Sequence, residues 1–239
     1  MWKTVRHKWK EVHYAWSAVR QLGGVFPRHC PVCGFRGNFY AHGSPPRFDA
    51  RCRKCGALER HRFFKLWFDA IGREMISGTR FLHFAPEGAI ARQIKPIVKE
   101  YVSADIVPGK ADVTLNIEDT GLPDCSVDCV LCSHVLEHVD DRIALAELRR
   151  ILSAHGTLIL MVPLVEGWSE TFEDPSIVIP EDRSKFFGQE DHVRRYGADF
   201  RSRVLSCGFS LSEFTATEPE VSDHGLRPGD KIFVARPTV

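Results

Sequence analysis

Two short turns hold the chain's densest cluster of reactive side chains. Cys30-Pro31-Val32-Cys33-Gly34 and Cys52-Arg53-Lys54-Cys55-Gly56 each carry a thiol pair with two residues between, and 18 residues separate the pairs. Four thiolates at this spacing form two knuckles that can converge on one tetrahedral Zn²⁺. The glycine after each pair lets the backbone turn so that its amides approach the sulfurs. Four cysteines close the coordination sphere, so the metal would be structural. A module of about thirty residues has too little core to fold alone, and metal binding supplies the missing free energy. Two disulfides or idle thiols are the alternative. Paired Cys-x-x-Cys turns point instead to metal ligation in a reducing compartment, and the expected location is cytoplasmic.

A second set of apt residues sits at the ends of apolar runs. Phe81–Ala85 is followed by the sharp Pro86-Glu87-Gly88 turn. Tyr101–Ala104 is closed by Asp105, 17 residues after Gly88, about where an acid would grip a ribose diol. Val127–Cys132 runs into Ser133-His134-Val135-Leu136-Glu137-His138-Val139. A helical pattern over Asp140–Leu152 then leads through His155-Gly156 into a strand at Thr157–Val162. Short apolar strands alternating with helices, without hairpin signals, predict a parallel, doubly wound α/β sheet. Such sheets bind ligands beyond the carboxyl ends of their strands.

Charge is nearly balanced overall, at +1, but not along the chain: residues 1–75 carry 15 Lys/Arg against 5 Asp/Glu, and residues 76–239 carry 17 against 26. The basic front could meet an anionic partner such as nucleic acid or a membrane surface, or dock on the acidic remainder. Trp2, Val5, Trp9, Val12, Trp16 and Val19 form one stripe of an amphipathic helix, with basic residues on its other faces. Trp2–Val19 therefore suits peripheral membrane contact, and equally packing on the chain itself or on a partner helix. No run approaches the length of a bilayer span, and no signal peptide is visible. Three parts are expected: the helix over 1–24, a zinc ribbon with a linking helix over 25–75, and an α/β domain over 76–239. In the linking helix Leu58, Phe63, Trp67 and Ile71 share a face that Phe64 and Phe68 widen, and Glu59-Arg60-His61-Arg62 is available for a cleft. Arg28, Arg36, Arg47, Arg51, Arg53 and Lys54 would suit phosphates.

The run Leu122–Val130 followed by Ser133-His134-Val135-Leu136-Glu137-His138-Val139 resembles the middle of class I S-adenosylmethionine-dependent methyltransferases. The four-cysteine ribbon, Leu58-Glu59-Arg60-His61-Arg62, His83-Phe84-Ala85-Pro86-Glu87 and Phe187–Gly197 resemble a zinc-ribbon-bearing bacterial group of that superfamily. The resemblance implies a Rossmann-like, mostly parallel seven-stranded sheet, its last strands Phe209–Thr215 and Lys231–Ala235, the final one antiparallel. It also implies S-adenosylmethionine held by Phe84, Ala85, Pro86, Glu87, Gly88, Asp105, Asn116, Ile117, Ser133 and His134. Asp105 would take the ribose hydroxyls, Asn116 and Ile117 the adenine, and Glu87 the ammonium group. Many relatives carry Gly-x-Gly in the first loop, whereas Ala85-Pro86-Glu87-Gly88 has one glycine; Pro96 would stop the helix that follows.

His192, Asp191 and His134 are the candidate catalytic bases, with His138 beside them, and Arg194, Arg195 and Tyr196 could bind an anionic or sugar-bearing substrate. Glu166–Lys185 is long enough for a lid. Cys125, Cys129, Cys132 and Cys207 read as buried small apolar residues. The expected reaction is methylation of an oxygen or nitrogen on a small molecule or glycan. RNA methylation through the basic ribbon is one alternative, disfavoured by the acidic body and by the lack of an Asn/Asp-Pro-Pro-Tyr motif. A non-catalytic cofactor-binding module is the other.

Overall fold

The computed structural model describes Gly24, residues 26–43 and residues 46–238, so the stripe Trp2–Val19 lies outside the described residues. Two compact units emerge. One contains the described residues up to Leu66 together with Ala216–Pro228; the other is Trp67–Thr215 with Gly229–Val239.

In the first unit β1 (Arg28–His29) pairs antiparallel with β2 (Arg36–Gly37), and β3 (Tyr40–His42) with β4 (Arg47–Arg51). The knuckles follow β1 and β4, around a small core of Cys30, Phe39, Cys52 and Ala57. Arg62 organises this unit. It is fully buried, and its guanidinium donates to the backbone oxygens of Asp49, Ala50, Ala57, His224 and Gly225 while lying over the Phe39 ring. Five donors meet five carbonyls, so a buried charge is fully solvated by protein. The segment expected to be open to a cleft is therefore largely internal: Glu59 and His61 are buried as well, and Arg60 is half-buried.

The helix Glu59–Trp67 runs into a π-helical turn, Phe68–Gly72, and a last helical turn, Arg73–Ile76. Phe63, Phe64, Trp67 and Phe68 are buried as their spacing predicts. Ile71 is not; the wider π turn rotates the stripe, leaving it 46% exposed.

The second unit is built on a seven-stranded sheet. Its strands are β5 (Arg80–Phe84), β6 (Glu100–Asp105), β7 (Val113–Thr114), β8 (Val127–Ser133), β9 (Leu152–Met161), β12 (Phe209–Thr215) and β13 (Lys231–Pro237). The short β10 (Phe172–Glu173) and β11 (Arg194–Arg195) pair with each other outside it. The order is β12-β13-β9-β8-β5-β6-β7; β5 to β9 are mutually parallel, and β13 is antiparallel to both neighbours. This is the doubly wound, mostly parallel fold expected, with its switch point between β5 and β8.

The helix Asp141–Ile151 is started by Asp140, whose carboxylate accepts from the amides of Arg142 and Ile143. Its stripe of Ala144, Leu145, Leu148 and Ile151 packs into the core with Leu82, Val130, Leu158 and Phe233. One boundary differs from expectation. β9 starts at Leu152, because a bulge between the Val127–Leu152 and Cys129–Thr157 pairs absorbs Ser153–Gly156 into the strand. Cys129 and Cys132 are buried, Cys207 is half-buried, and Cys125, in a turn, is exposed, contrary to expectation. No helix among the described residues is long and apolar enough to cross a membrane.

The face of β5 opposite Leu82 and Phe84 contains His83, which is fully buried. Its Nδ1 lies 2.8 Å from the Tyr101 hydroxyl, and Tyr101 stacks on Phe81. Burial lowers the His83 pKa to about 4 and raises that of Tyr101 to about 12. The unfolded chain thus binds a proton near pH 6.5 that the folded chain refuses until about pH 4, so stability is lost as pH falls through this window. At pH 5 the loss is about 2 kcal/mol. Urea unfolding at pH 7 and pH 5 should show a smaller pH-dependent loss for His83→Gln than for the unmodified chain; equal losses would refute the assignment.

Candidate active site

Strand register brings the sequence-predicted residues to one edge. Phe84 is level with Ala104 on β6 and Cys132 on β8, so Ala85, Asp105 and Ser133 emerge together. β7 pairs Thr114 with Asp105 and is followed by Leu115, Asn116 and Ile117. Phe84, Ala85, Asp105, Asn116 and Ile117 line one side of an open cavity of about 300 Å³, with Ala104, Ile106 and Leu115. His134, Val135, His138, Val139 and Asp191 line the other.

Each side chain on the first wall has a local reason for its place. Ala85 takes a left-handed backbone, φ +46°, its amide bonding to the Ala104 carbonyl. A glycine would hold this conformation without the cost that a Cβ imposes. Glu87 is the extended residue before the helix Gly88–Ile94, which ends ahead of Pro96. Asp105 Oδ1 accepts from the Val107 amide at 2.8 Å, which steadies the carboxylate and leaves its other oxygen for a ligand. Asn116 Oδ1 likewise accepts from Glu118, leaving its NH₂ group, and Ile117 is buried. Pro86, Glu87 and Gly88 follow Ala85 but do not line the cavity, and neither does Ser133. The Ser133 hydroxyl is buried, 3.4 Å from Glu87 Oε2 and 3.9 Å from the Met161 sulfur.

The second wall depends on a clamp. Arg194 donates to the carbonyls of Leu136 and Val139 and pairs with Glu173 at 2.9 Å. The Tyr196 hydroxyl, with one proton to share, lies 3.1 Å from both the Leu136 carbonyl and Asp141 Oδ2, and the Val193 amide donates to the Glu137 carbonyl. Arg203 completes the network on Asp141 and Glu173. Arg194 and Tyr196 are thus internal, which corrects their expected role in binding substrate; Arg195 lies over the Trp168 ring. Glu166–Lys185 is not one long loop: it contains β10, and a helix starts at Pro180.

Held this way, the His192 ring meets His138 edge to face at 4.6 Å, and Asp191 Oδ2 lies 3.2 Å from His138 Nδ1. His192 itself does not line the cavity. Burial, with His138 nearby, lowers the His192 pKa. Asp191 is raised by burial but brought below its usual range by the Gln189 amide and by His138. His134, also in a left-handed conformation, has Nδ1 3.2 Å from Glu137 Oε1. Glu137 escaped the sequence reading, although a glutamate between two histidines of one short motif was the signal to find it.

In the first unit the four thiols of Cys30, Cys33, Cys52 and Cys55 converge within 4.8 Å of one another. Two of the sulfur pairs are 3.7 Å apart. Zinc–sulfur bonds of about 2.3 Å in a tetrahedron require about 3.8 Å. Both knuckles repeat one pattern: Gly34 and Gly56, at φ +72° and +74°, return their amides to the carbonyls of Cys30 and Cys52. Burial raises the Cys30 and Cys55 thiols, while backbone amides, of Cys33 and Val32 for the one and Ala57 for the other, stabilise their thiolates. Four thiolates this close need a cation to ionise together. Around them several cations are already engaged: Arg28 with Asp49, Arg47 with Glu59, and Arg53 on the Tyr40 ring.

The family model of a methyltransferase domain matches residues 85–160, the stretch from the first loop through β9. Residues 85–160 thus carry the sequence of a methyltransferase domain. Solved structures share this fold at low identity. The YcgJ protein of Bacillus subtilis is 14% identical, with a TM-score of 0.51, over 75% of this chain and 99% of that one. An S-adenosylmethionine-dependent methyltransferase from Mesorhizobium loti is 13% identical, with a TM-score of 0.50, over 68% and 92%. The [4+2]-cyclase SpnF is 12% identical, with a TM-score of 0.55, over 75% and 82%, so the likeness speaks to fold alone. No curated protein matches the chain.

Replacing Arg194 by Met would leave the Leu136 and Val139 carbonyls without their donor and Glu173 and Asp141 with Arg203 as their one remaining cation. Breaking such a buried pair costs about 3 kcal/mol or more, on the order of 10 °C in thermal midpoint. An unchanged midpoint would show that the clamp is not structural.

Proposed function

We propose that the chain transfers a methyl group to an oxygen or nitrogen of a small molecule or glycan. The carrying observation is the two-sided cavity, with a ribose-compatible carboxylate and apolar Ile117 on one side and imidazoles with a carboxylate on the other. When bound, S-adenosylmethionine supplies an activated methyl carbon. Phe84, Ala85, Pro86, Glu87 and Gly88 would form the first loop around it. Asp105 would accept from both ribose hydroxyls, and Asn116 and Ile117 would flank the adenine. Ser133 would act through Glu87, steadying the carboxylate for an ammonium group. His134 would stand near the sulfonium.

The acceptor's proton would pass to His192, with Asp191 and His134 in reach, as the acceptor's lone pair forms the new bond to carbon and sulfur keeps the electrons of the bond that breaks. The chain's own work is alignment, exclusion of water and removal of that proton. The pairing of Arg28 and Arg47 with carboxylates, and the burial of Arg62, weigh against RNA as the acceptor. Cys30, Cys33, Cys52 and Cys55 would hold one structural zinc in the manner of the zinc-ribbon-bearing group.

Two charge-assisted hydrogen bonds to ribose are worth about 1.5 kcal/mol or more each. Calorimetry should therefore find S-adenosylmethionine bound by the unmodified chain and at least about tenfold more weakly by Asp105→Ala. His192→Ala should bind cofactor normally while transferring labelled methyl to cell-extract acceptors about 100-fold more slowly. Equal affinity for Asp105→Ala, or undiminished transfer by His192→Ala, would contradict these roles. Metal analysis should find one zinc fewer per chain in Cys52→Ser than in the unmodified protein; equal contents would remove the zinc assignment.

A further inference from the structure

Glu137 poses a problem that methyl transfer alone does not answer. Its side chain is fully buried, yet one carboxylate oxygen, Oε2, has no hydrogen-bond partner among the described residues. The other faces His134 Nδ1 at 3.2 Å. A buried carboxylate oxygen without a partner is unfavourable unless a cation meets it. Two imidazoles stand beside it: one ligand-competent atom each from Glu137, His138 and His192 lies within 4.8 Å of the others.

The surroundings of these side chains are those of metal ligands. His138 Nδ1 is held by Asp191 at 3.2 Å, and His192 Nδ1 sits 3.3 Å from the Phe187 carbonyl, so Nε2 of each ring remains to bind. A partner on one nitrogen sets the tautomer and orients the other toward a metal, the usual support of an imidazole ligand. Drawing the three atoms onto an ion at about 2.1 Å needs separations of about 3 to 3.5 Å, a closure that small rotations of two partly exposed rings can supply.

We infer that Glu137, His138 and His192 form a binding site for one divalent transition-metal ion, next to the cavity that His138 and Asp191 line. Two imidazoles and one carboxylate leave room for oxygen ligands, as in catalytic rather than structural sites. The fitting acceptor is then a hydroxyl-bearing compound whose oxygen binds the ion. An ion held there would draw charge from that oxygen and would occupy His192 as a ligand, so the proton would leave to Asp191, the other base in reach, as the oxygen–methyl bond forms and the sulfur–methyl bond breaks. This role rests on the methyltransferase reading; the site itself does not.

The test uses Mn²⁺, which favours carboxylate and imidazole and competes poorly for the four thiolates of a zinc-loaded chain. Electron paramagnetic resonance of free Mn²⁺, titrated with the full-length protein, should show one ion bound per chain. Glu137→Gln should abolish this binding, and His192→Ala, at a less buried position, should weaken it at least tenfold with the fold intact by circular dichroism. No uptake at millimolar Mn²⁺, or uptake unchanged in His192→Ala, would overturn the proposal. S-adenosylhomocysteine binding, measured without Mn²⁺, separates the two readings. Cofactor bound without Mn²⁺ uptake would sink the metal site alone. Mn²⁺ held at Glu137 without cofactor binding would uphold the site and sink the methyltransferase role.

Discussion

The guanidinium of Arg194 is the contact on which the active-site geometry depends. It joins two segments far apart in sequence, the turn after β8 and the strand β11, through the carbonyls of Leu136 and Val139. With Tyr196 and Val193 it fastens residues 193–196 to Leu136–Val139. His192, next in the chain to Val193, is thereby set against His138. The chemistry at the mouth of the sheet is thus prepared by polar groups that never reach the cavity. Such internal charges stabilise only when every partner is present, which makes the clamp an all-or-none device.

Arg62 plays the same part in the first unit. Its five carbonyl partners come from β4, the second knuckle and Ala216–Pro228, and they tie a late segment of the chain to the cysteine module. In both units an arginine collects backbone oxygens that loops would otherwise leave unpaired.

These two arginines also show where reading the sequence stops. Alternating strands and helices, the acid closing β6 and the paired cysteine turns were legible because local spacing dictates them. A parallel strand delivers its last residue to the ligand edge whatever follows, so Asp105 could be named from its distance to Gly88. The fates of Arg62, Arg194 and Tyr196 were not legible, since a charged or phenolic side chain in a loop looks the same whether it faces a substrate or five carbonyls. Ile71 was misjudged because a π turn leaves no mark in a 3.6-residue pattern. Glu137 was passed over because nothing local says that one carboxylate oxygen will be buried without a partner.

The cavity at the switch point is small, open and asymmetric, with an apolar, carboxylate-bearing wall facing an imidazole-bearing one. That asymmetry is what a cofactor and an acceptor of different character require. A crystal structure of the chain with S-adenosylhomocysteine tests this most directly. The account predicts the ribose hydroxyls on Asp105, the adenine along Ile117 and the sulfur turned toward His134. Density for the ligand anywhere else, or an Asp105 carboxylate without contact to it, would contradict the account.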